Sequence, residues 1–374
     1  MPYEIVFDDL PAGYSLSYAK KGDEAFVRTI EFTSSEDGDE FIARLEGFPA
    51  QILGMLTSSE NVKPSTVDHL LAIIRRDKTA TVYVNELSFL AYARVKRDVE
   101  KGTPVLFDNI ADVERLSIDG VSIPSDAGFA FLFSCGWRKG FFYDFSPLAS
   151  EISENRNYDL EVLLGHYWSY LTFQFLFKIR DSEWDQMFNQ KWFPFISLRS
   201  TTIQNIVDRI RAGWDLDELL EPIAQEVADS AESMREKWQR NQIFCDHLPI
   251  LDKGLERFLA QDYISAISIL YPRIEGIMRT HHMRADPLVR PSQKNLVASS
   301  LKGEGITPRN LLLPERFEFY LREIYFAYFD PVHPSVLSRH SVAHGVAPAD
   351  LFNLKAATIS LLILEQLSFY LQTG

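Results

Sequence analysis

The chain has 374 residues, 46% of them hydrophobic and 24% charged, which is enough for two or three domains with cores of their own. A net charge of −14 excludes a generic nucleic-acid coat, and the two cysteines, Cys135 and Cys245, lie too far apart for a metal-ligand spacing and are expected to be reduced core thiols in the cytoplasm. No basic leader with a short apolar core opens the chain, and the two greasiest stretches, 160–177 and 351–371, carry polar interruptions that suit buried helices better than membrane spans.

Residues 1–150 read as a β-rich α+β domain. Runs at 3–7, 14–18, 26–32, 79–84 and 89–95 are rich in β-branched and aromatic residues, with turn signals such as Pro11-Ala12-Gly13 and Lys20-Lys21-Gly22-Asp23 between them. The clearest hairpin joins 128–134 to 140–145 through a tip at 135–139, while 39–56 and 65–76 read as helical patches. The Trp137-Arg138-Lys139 tip either contacts a ligand or packs its own tryptophan into the turn. The acidic loop 34–40 lacks the spacing of a calcium-binding loop. There is no glycine-rich phosphate loop and no nucleophile motif, so this half reads as a sensor or interaction domain.

Residues 151–241 form a helical middle region. One long apolar helix is expected over 159–180 with His166 as a core histidine, followed by an aromatic cluster around Pro194 and helices over 201–212 and 216–242. The mixed charges of 226–240 suit a solvent-facing helix.

Residues 242–374 read as a helical bundle, with helices over 244–260, 263–283, 314–328, 335–344 and about 350–372. Pro272 predicts a kink or a break in the second of these. From residue 241 onward 13 Lys and Arg balance 13 Asp and Glu, so the acidity belongs to the first 240 residues. Within this neutral part, 273–309 carries seven bases, among them Arg290 and Arg309, against three acids. The stretch serves either a polyanion or a solvated helix face, and His281 and His282 either line it or face solvent.

The chemistry concentrates in Ser338-Arg339-His340-Ser341-Val342-Ala343-His344-Gly345, which follows a loop closed by Pro331 and Pro334. Gly345 suits the left-handed residue just past a helix end. Arg339 and His344 are five apart, about 140° around a helix, yet a long arginine can swing toward the imidazole. A phosphate-binding fork and a proton shuttle are the two groups that cleave RNA without a metal. The dipole at the helix end favours protonated His344. His340 and His344 also share a face as zinc ligands do, but Ser341 stands where the metalloprotease motif has its glutamate. A third reading makes Arg339 and the histidines internal pairing groups or a dimer contact.

The spacing Arg339-His340-Ser341-Val342-Ala343-His344, together with Tyr271-Pro272-Arg273-Ile274-Glu275-Gly276-Ile277-Met278-Arg279 in the second helix of the bundle, resembles the HEPN superfamily of helical ribonucleases and nucleotide-binding domains. The resemblance implies that Arg339 binds and polarises the scissile phosphate and that His344 is the acid/base. It gives supporting roles to His340, at the polar position, and to Glu275, which would orient Arg339 or His344. Arg273, Arg279 and Arg284 are RNA-binding candidates. It further implies a homodimer, with no metal and no cofactor. A β-rich domain ahead of such a bundle is similar to abortive-infection and antiphage proteins. The expectation is a regulated cytoplasmic toxin with a trigger or regulatory partner at its N-terminal domain and no membrane attachment. Many HEPN domains are instead non-catalytic binding or dimerisation scaffolds, in which Arg339 and His344 would be structural.

Overall fold

A computed structural model describes residues 2–56, 63–149, 155–286, 288, 291–302, 310–330 and 336–371. The fold is α+β, with an antiparallel sheet in the N-terminal part and helices after it. Two compact units are present, Met1–Tyr92 with Val113–Gln174, and Ala93–Asp112 with Phe175–Gly374. The helices between 175 and 241 therefore belong to the same unit as those beyond 242. Among the described residues no helix is long and apolar enough to cross a membrane.

The strands are β1 (Tyr3–Val6), β2 (Tyr14–Ser15), β3 (Val27–Arg28), β4 (Ile30–Ser34), β5 (His69–Ile74), β6 (Thr79–Val84), β7 (Phe89–Val95), β8 (Ile110–Ile118), β9 (Gly128–Cys135) and β10 (Arg138–Asp144). Six of them form one sheet in the order β1-β6-β5-β9-β10-β4, while β2 pairs with β3 and β7 with β8. Side chains on a strand point alternately to opposite faces, and here both faces are covered. Leu70, Ala72 and Ile74 of β5 join Phe41, Ile52 and Leu53 on one side, while Leu71 and Ile73 join Phe131, Leu164 and Leu171 on the other.

Double burial corrects the helix expected over 65–76. Leu70-Leu71-Ala72-Ile73-Ile74 shows no polar alternation because it is a central strand with no solvent face, preceded only by a single 3-10 turn at Pro64–Thr66. The hairpin tip is also tighter than expected. Cys135 pairs with Arg138, which leaves Gly136, at φ +62°, and Trp137 in the turn. Trp137 does not pack into that turn; it is 75% exposed, with the Arg138 guanidinium 4.7 Å from its ring centre.

The helices are α1 (Asp39–Glu46), α2 (Phe48–Leu56), α3 (Ser146–Ala149), α4 (Leu160–Thr172), α5 (Gln174–Phe177), α6 (Asp181–Asn189), α7 (Ser200–Arg211), α8 (Leu220–Asp229), α9 (Ala231–Arg240), α10 (Gln242–Cys245), α11 (Leu248–Leu259), α12 (Tyr263–Ala285), α13 (Gln293–Ser300), α14 (Pro314–Tyr320), α15 (Arg339–Ala343) and α16 (Leu354–Tyr370). The long helix expected over 159–180 ends at Thr172, and His166 on it is buried. The helix expected over 216–242 is divided at Ser230 and at Asn241, whose side chain accepts from the Ile243 N–H (2.8 Å) and starts α10.

In the second unit α16 forms the centre, with every residue from Ala357 to Tyr370 buried. Its polar residues are matched to backbone. Gln366 accepts from the Ile196 N–H (2.8 Å) and donates to the Leu312 carbonyl (3.0 Å), which also receives the Tyr370 hydroxyl (2.6 Å). Cys135 is half-buried against the Thr172 hydroxyl (2.9 Å), but Cys245 is exposed, which corrects the expectation of two core thiols.

Candidate functional site between α12 and α15

Two serines fix the start of α15. The Ser338 hydroxyl accepts from the Ser341 N–H (3.3 Å), and the Ser341 hydroxyl accepts from the Ser338 N–H (2.9 Å), with both residues fully buried. Helical geometry therefore begins at Arg339 and spans five residues, shorter than the 335–344 expected; Pro331 and Pro334 lie outside the described residues. At the other end His344 is the cap. Gly345 sits at φ +68° and donates to Val342 O (3.0 Å), and the Val346 N–H donates to Ser341 O (3.1 Å). That paired pattern closes a helix through a left-handed residue, the conformation glycine adopts at least cost.

The Arg339 guanidinium forms an ion pair with Glu275 of α12. Glu275 is 5% exposed, and its other oxygen accepts from Arg279 one turn along the same helix (2.6 Å). One buried carboxylate thus holds two guanidinium groups. The Arg339 side chain retains 27% exposure, so it reaches solvent from an anchored base.

The backbone at Glu275 is unusual too. α12 runs on through Pro272 as one helix, so of the kink or break expected there the break is absent. The Tyr325 hydroxyl accepts from the Glu275 N–H (3.1 Å) and donates to the Tyr271 carbonyl (2.6 Å). Those two backbone groups, four residues apart, are the ones a regular helix pairs. A tyrosine hydroxyl therefore bridges the two ends of one rung of the ladder next to the proline. Tyr325 ends a π-helical turn, Leu321–Tyr325, which continues α14 in place of the single helix expected over 314–328. Burial, and then the Glu275 carboxylate, keep this hydroxyl protonated far above the ordinary tyrosine range, so its proton stays available to Tyr271.

The two histidines lie among aromatic rings. His340 is 6.1 Å from Phe326 and 6.2 Å from Tyr328, centre to centre, and His344 is 5.8 Å from Phe329. Burial, then the Arg339 charge, hold His340 below the ordinary imidazole value; His344 adds to this and Glu275 opposes it. His340 is thus the half-buried member with the lowered value, and His344 the exposed one.

The structure brings Arg339, Glu275, Arg279 and His340 together, with His344 at the end of the same short helix. The basic stretch is less open than its composition suggests. Arg279 is tied to Glu275, Arg284 donates to the Gln242 carbonyl (3.0 Å) and Asp246 (2.9 Å), and Arg273 is half-buried with its charge bearing on His247. Arg290 and Arg309 lie outside the described residues. His282 is buried with Nδ1 3.3 Å from the Ser299 hydroxyl, and half-buried His281 bonds the Ser299 backbone, so neither simply faces solvent. Among the described residues no three or more His, Cys, Asp and Glu side chains converge as a metal-ligand set.

Tyr325 is the residue that sequence reasoning missed. It stands in an aromatic-rich stretch, 317–329, and nothing local distinguishes it from a packing residue. Comparison with family models, curated proteins and solved structures finds no match to this chain.

Proposed function

We propose that the helices of 242–374 form a HEPN-like bundle and act as a metal-independent endoribonuclease, with Arg339 and His344 as the catalytic pair. The observation that carries this reading is the arrangement on α15: a guanidinium anchored on buried Glu275 at its first residue and an exposed imidazole directly after its last. A fixed guanidinium with residual exposure suits a phosphoryl group gathering negative charge, because no reorganisation is needed as that charge develops. An imidazole can take the proton of the ribose 2′-hydroxyl. That oxygen then attacks the adjacent phosphorus, the bond to the 5′-oxygen breaks, and the leaving oxygen takes up a proton. The products are a 2′,3′-cyclic phosphate and a 5′-hydroxyl. His340, with its lowered value beside Arg339, supports the site as an acceptor.

In this reading RNA is the substrate, two copies associate through the bundle, and the protein is a cytoplasmic antiphage toxin released by a trigger at its β-rich part. One observation favours the non-catalytic scaffold: Arg339 already has an internal carboxylate partner. RNA cleavage in EDTA by wild type, Arg339→Ala and His344→Ala separates the two. Cleavage by wild type with cyclic phosphate ends, lost in both variants, supports the nuclease. A folded wild type inactive on all RNA pools, with and without infected-cell extract, supports the scaffold, and activity that returns only with zinc points to the histidine pair as ligands.

A further inference from the structure

Away from α12 and α15, the second unit contains two adjoining cavities between residues 95–98, the segment 197–199 and helices α8, α9 and α16. The outer one, about 340 Å³, carries Lys96, Arg97, Lys237 and Arg240 against Asp98 and Glu236. The inner one, about 230 Å³, shares Lys96 and Arg97 with it and reaches Ser197, Glu226 and Glu365. The outer volume falls within the range of small-molecule sites, but the walls are charged where such sites are usually apolar, so the matching ligand is itself polar.

The charges in the outer cavity are unequally committed. Arg97 is engaged by Asp108 and Glu226, and Lys237 by Glu365 (3.3 Å). Lys96 donates to the Leu198 carbonyl (2.6 Å), and among the described residues no carboxylate lies within ion-pair distance of its ammonium. Among the described residues Arg240 pairs only with Glu236 (3.2 Å), and both are largely exposed, which makes that pair weak. Two cations are therefore available. In the inner cavity the need is the opposite. Glu365 is 6% exposed; one of its oxygens faces Lys237, while Oε1 has no hydrogen-bond partner among the described residues. The buried Ser197 hydroxyl is likewise without one. Buried polar atoms left unmatched inside a folded protein are uncommon, and these two belong to side chains that line one cavity.

We propose that this cleft binds a small phosphomonoester that also carries hydroxyl or amino donors, a pentose phosphate or a nucleoside monophosphate, with its phosphate on Lys96 and Arg240 and its donors on Glu365 and Ser197. A phosphomonoester carries about −1.5 to −2 charges near neutrality, which two uncommitted cations match. Burial, and then neighbouring Arg97, hold Lys96 down to about 8, against a smaller pull from Asp108 and Glu226. Affinity then falls as pH rises through that value and the ammonium is lost. The site uses no residue of α12 or α15, so its fate is independent of the nuclease reading.

Calorimetric titration of the full chain at pH 7 with ribose 5-phosphate, AMP and inorganic phosphate tests it. The expected result is saturable binding of ribose 5-phosphate, AMP or both, with inorganic phosphate weaker by about tenfold or more. Lys96→Gln and Glu365→Gln each weaken the bound ester by about tenfold, Arg240→Gln and Ser197→Ala by a smaller factor, and Arg339→Ala not at all. Arg240→Gln, on the surface, and Ser197→Ala, a one-atom change, keep the test decisive if either buried variant fails to fold. No binding of any of the three probes overturns the proposal, as does binding that survives Arg240→Gln and Ser197→Ala unchanged. Inorganic phosphate binding as tightly as the esters also overturns it, by reducing the site to an anion hole.

Discussion

Arg339, the first residue of α15, is held by the carboxylate of Glu275 in the second half of α12. That carboxylate is buried, takes Arg279 as well, and belongs to a residue whose N–H is bound by Tyr325. One buried charged side chain thus ties α15 to α12, and its removal has consequences at both helices.

Glu275→Gln leaves two guanidinium groups facing a neutral amide. Breaking a fully buried ion pair costs about 3–5 kcal/mol, but Arg339 and Arg279 retain solvent access, so about 1–3 kcal/mol of lost stability is expected. Arg339→Ala is milder, because Glu275 keeps Arg279. Urea unfolding of both single variants and the double variant checks this, with a coupling of about 1 kcal/mol between positions 275 and 339 expected. Additive effects would mean that the pair contributes nothing.

Tyr325→Phe removes the bridging hydroxyl while keeping the ring. The buried Glu275 N–H and Tyr271 C=O then lose that partner, at a cost of up to about 1–3 kcal/mol if the helix ladder does not compensate them. Pro272 bears on the size of that loss, since its ring crowds the turn before it and disfavours a regular helix at that point. The expected result is a larger loss for Tyr325→Phe in the native background than in Pro272→Ala, read by urea unfolding and by hydrogen exchange of the Glu275 amide. Equal losses would show that the hydroxyl acts without reference to the proline.

Such relations mark the limit of what the sequence discloses. The strands at 79–84 and 89–95 coincide with their β-branched and aromatic runs, and Gly345 takes the left-handed position its place suggests. β5 was illegible because burial on both faces erases the alternation that distinguishes a strand from a short buried helix. The Arg279–Glu275 pair follows from i, i+4 spacing on one helix. Tyr325 bridging Tyr271 and Glu275 joins segments some 50 residues apart, and no local pattern encodes it. The cleft at Lys96 is less legible still, being assembled from four separate stretches whose charges each look like ordinary surface.

The pH dependence of stability has a definite sign. His69, His247, His281 and His340 are all held below the ordinary imidazole value of 6.5, with burial as the leading cause in each. As pH falls through 6.5 the unfolded chain takes up protons that the native state refuses, so stability falls; well above 6.5 these groups contribute no slope. Carboxylates titrate mostly below this window, so the loss between pH 7 and 5.5 belongs to the histidines. Urea midpoints across that interval should decline toward acid, and less steeply in His247→Gln, where the amide can keep the contact with the Thr280 hydroxyl (2.9 Å). A flat profile would contradict the lowered values.

Gly345 sets where His344 ends α15, and it can be tested apart from packing. A Cβ built at this position meets nothing within 4 Å, so a substitution there is strained by conformation alone. At φ +68° an alanine costs about 1 kcal/mol, and asparagine less because it tolerates the left-handed region. The expected order of stability is glycine, then asparagine, then alanine, read from urea midpoints at unchanged denaturant slope. If alanine matched glycine, the helix end would have given up its left-handed turn, and the two hydrogen bonds from Gly345 and Val346 back to Val342 and Ser341 would have gone with it. In that event His344 would no longer be held in place relative to Arg339. On the proposed nuclease reading the Gly345→Ala protein would then lose RNA cleavage at full stability, separating the position of the imidazole from the integrity of the fold.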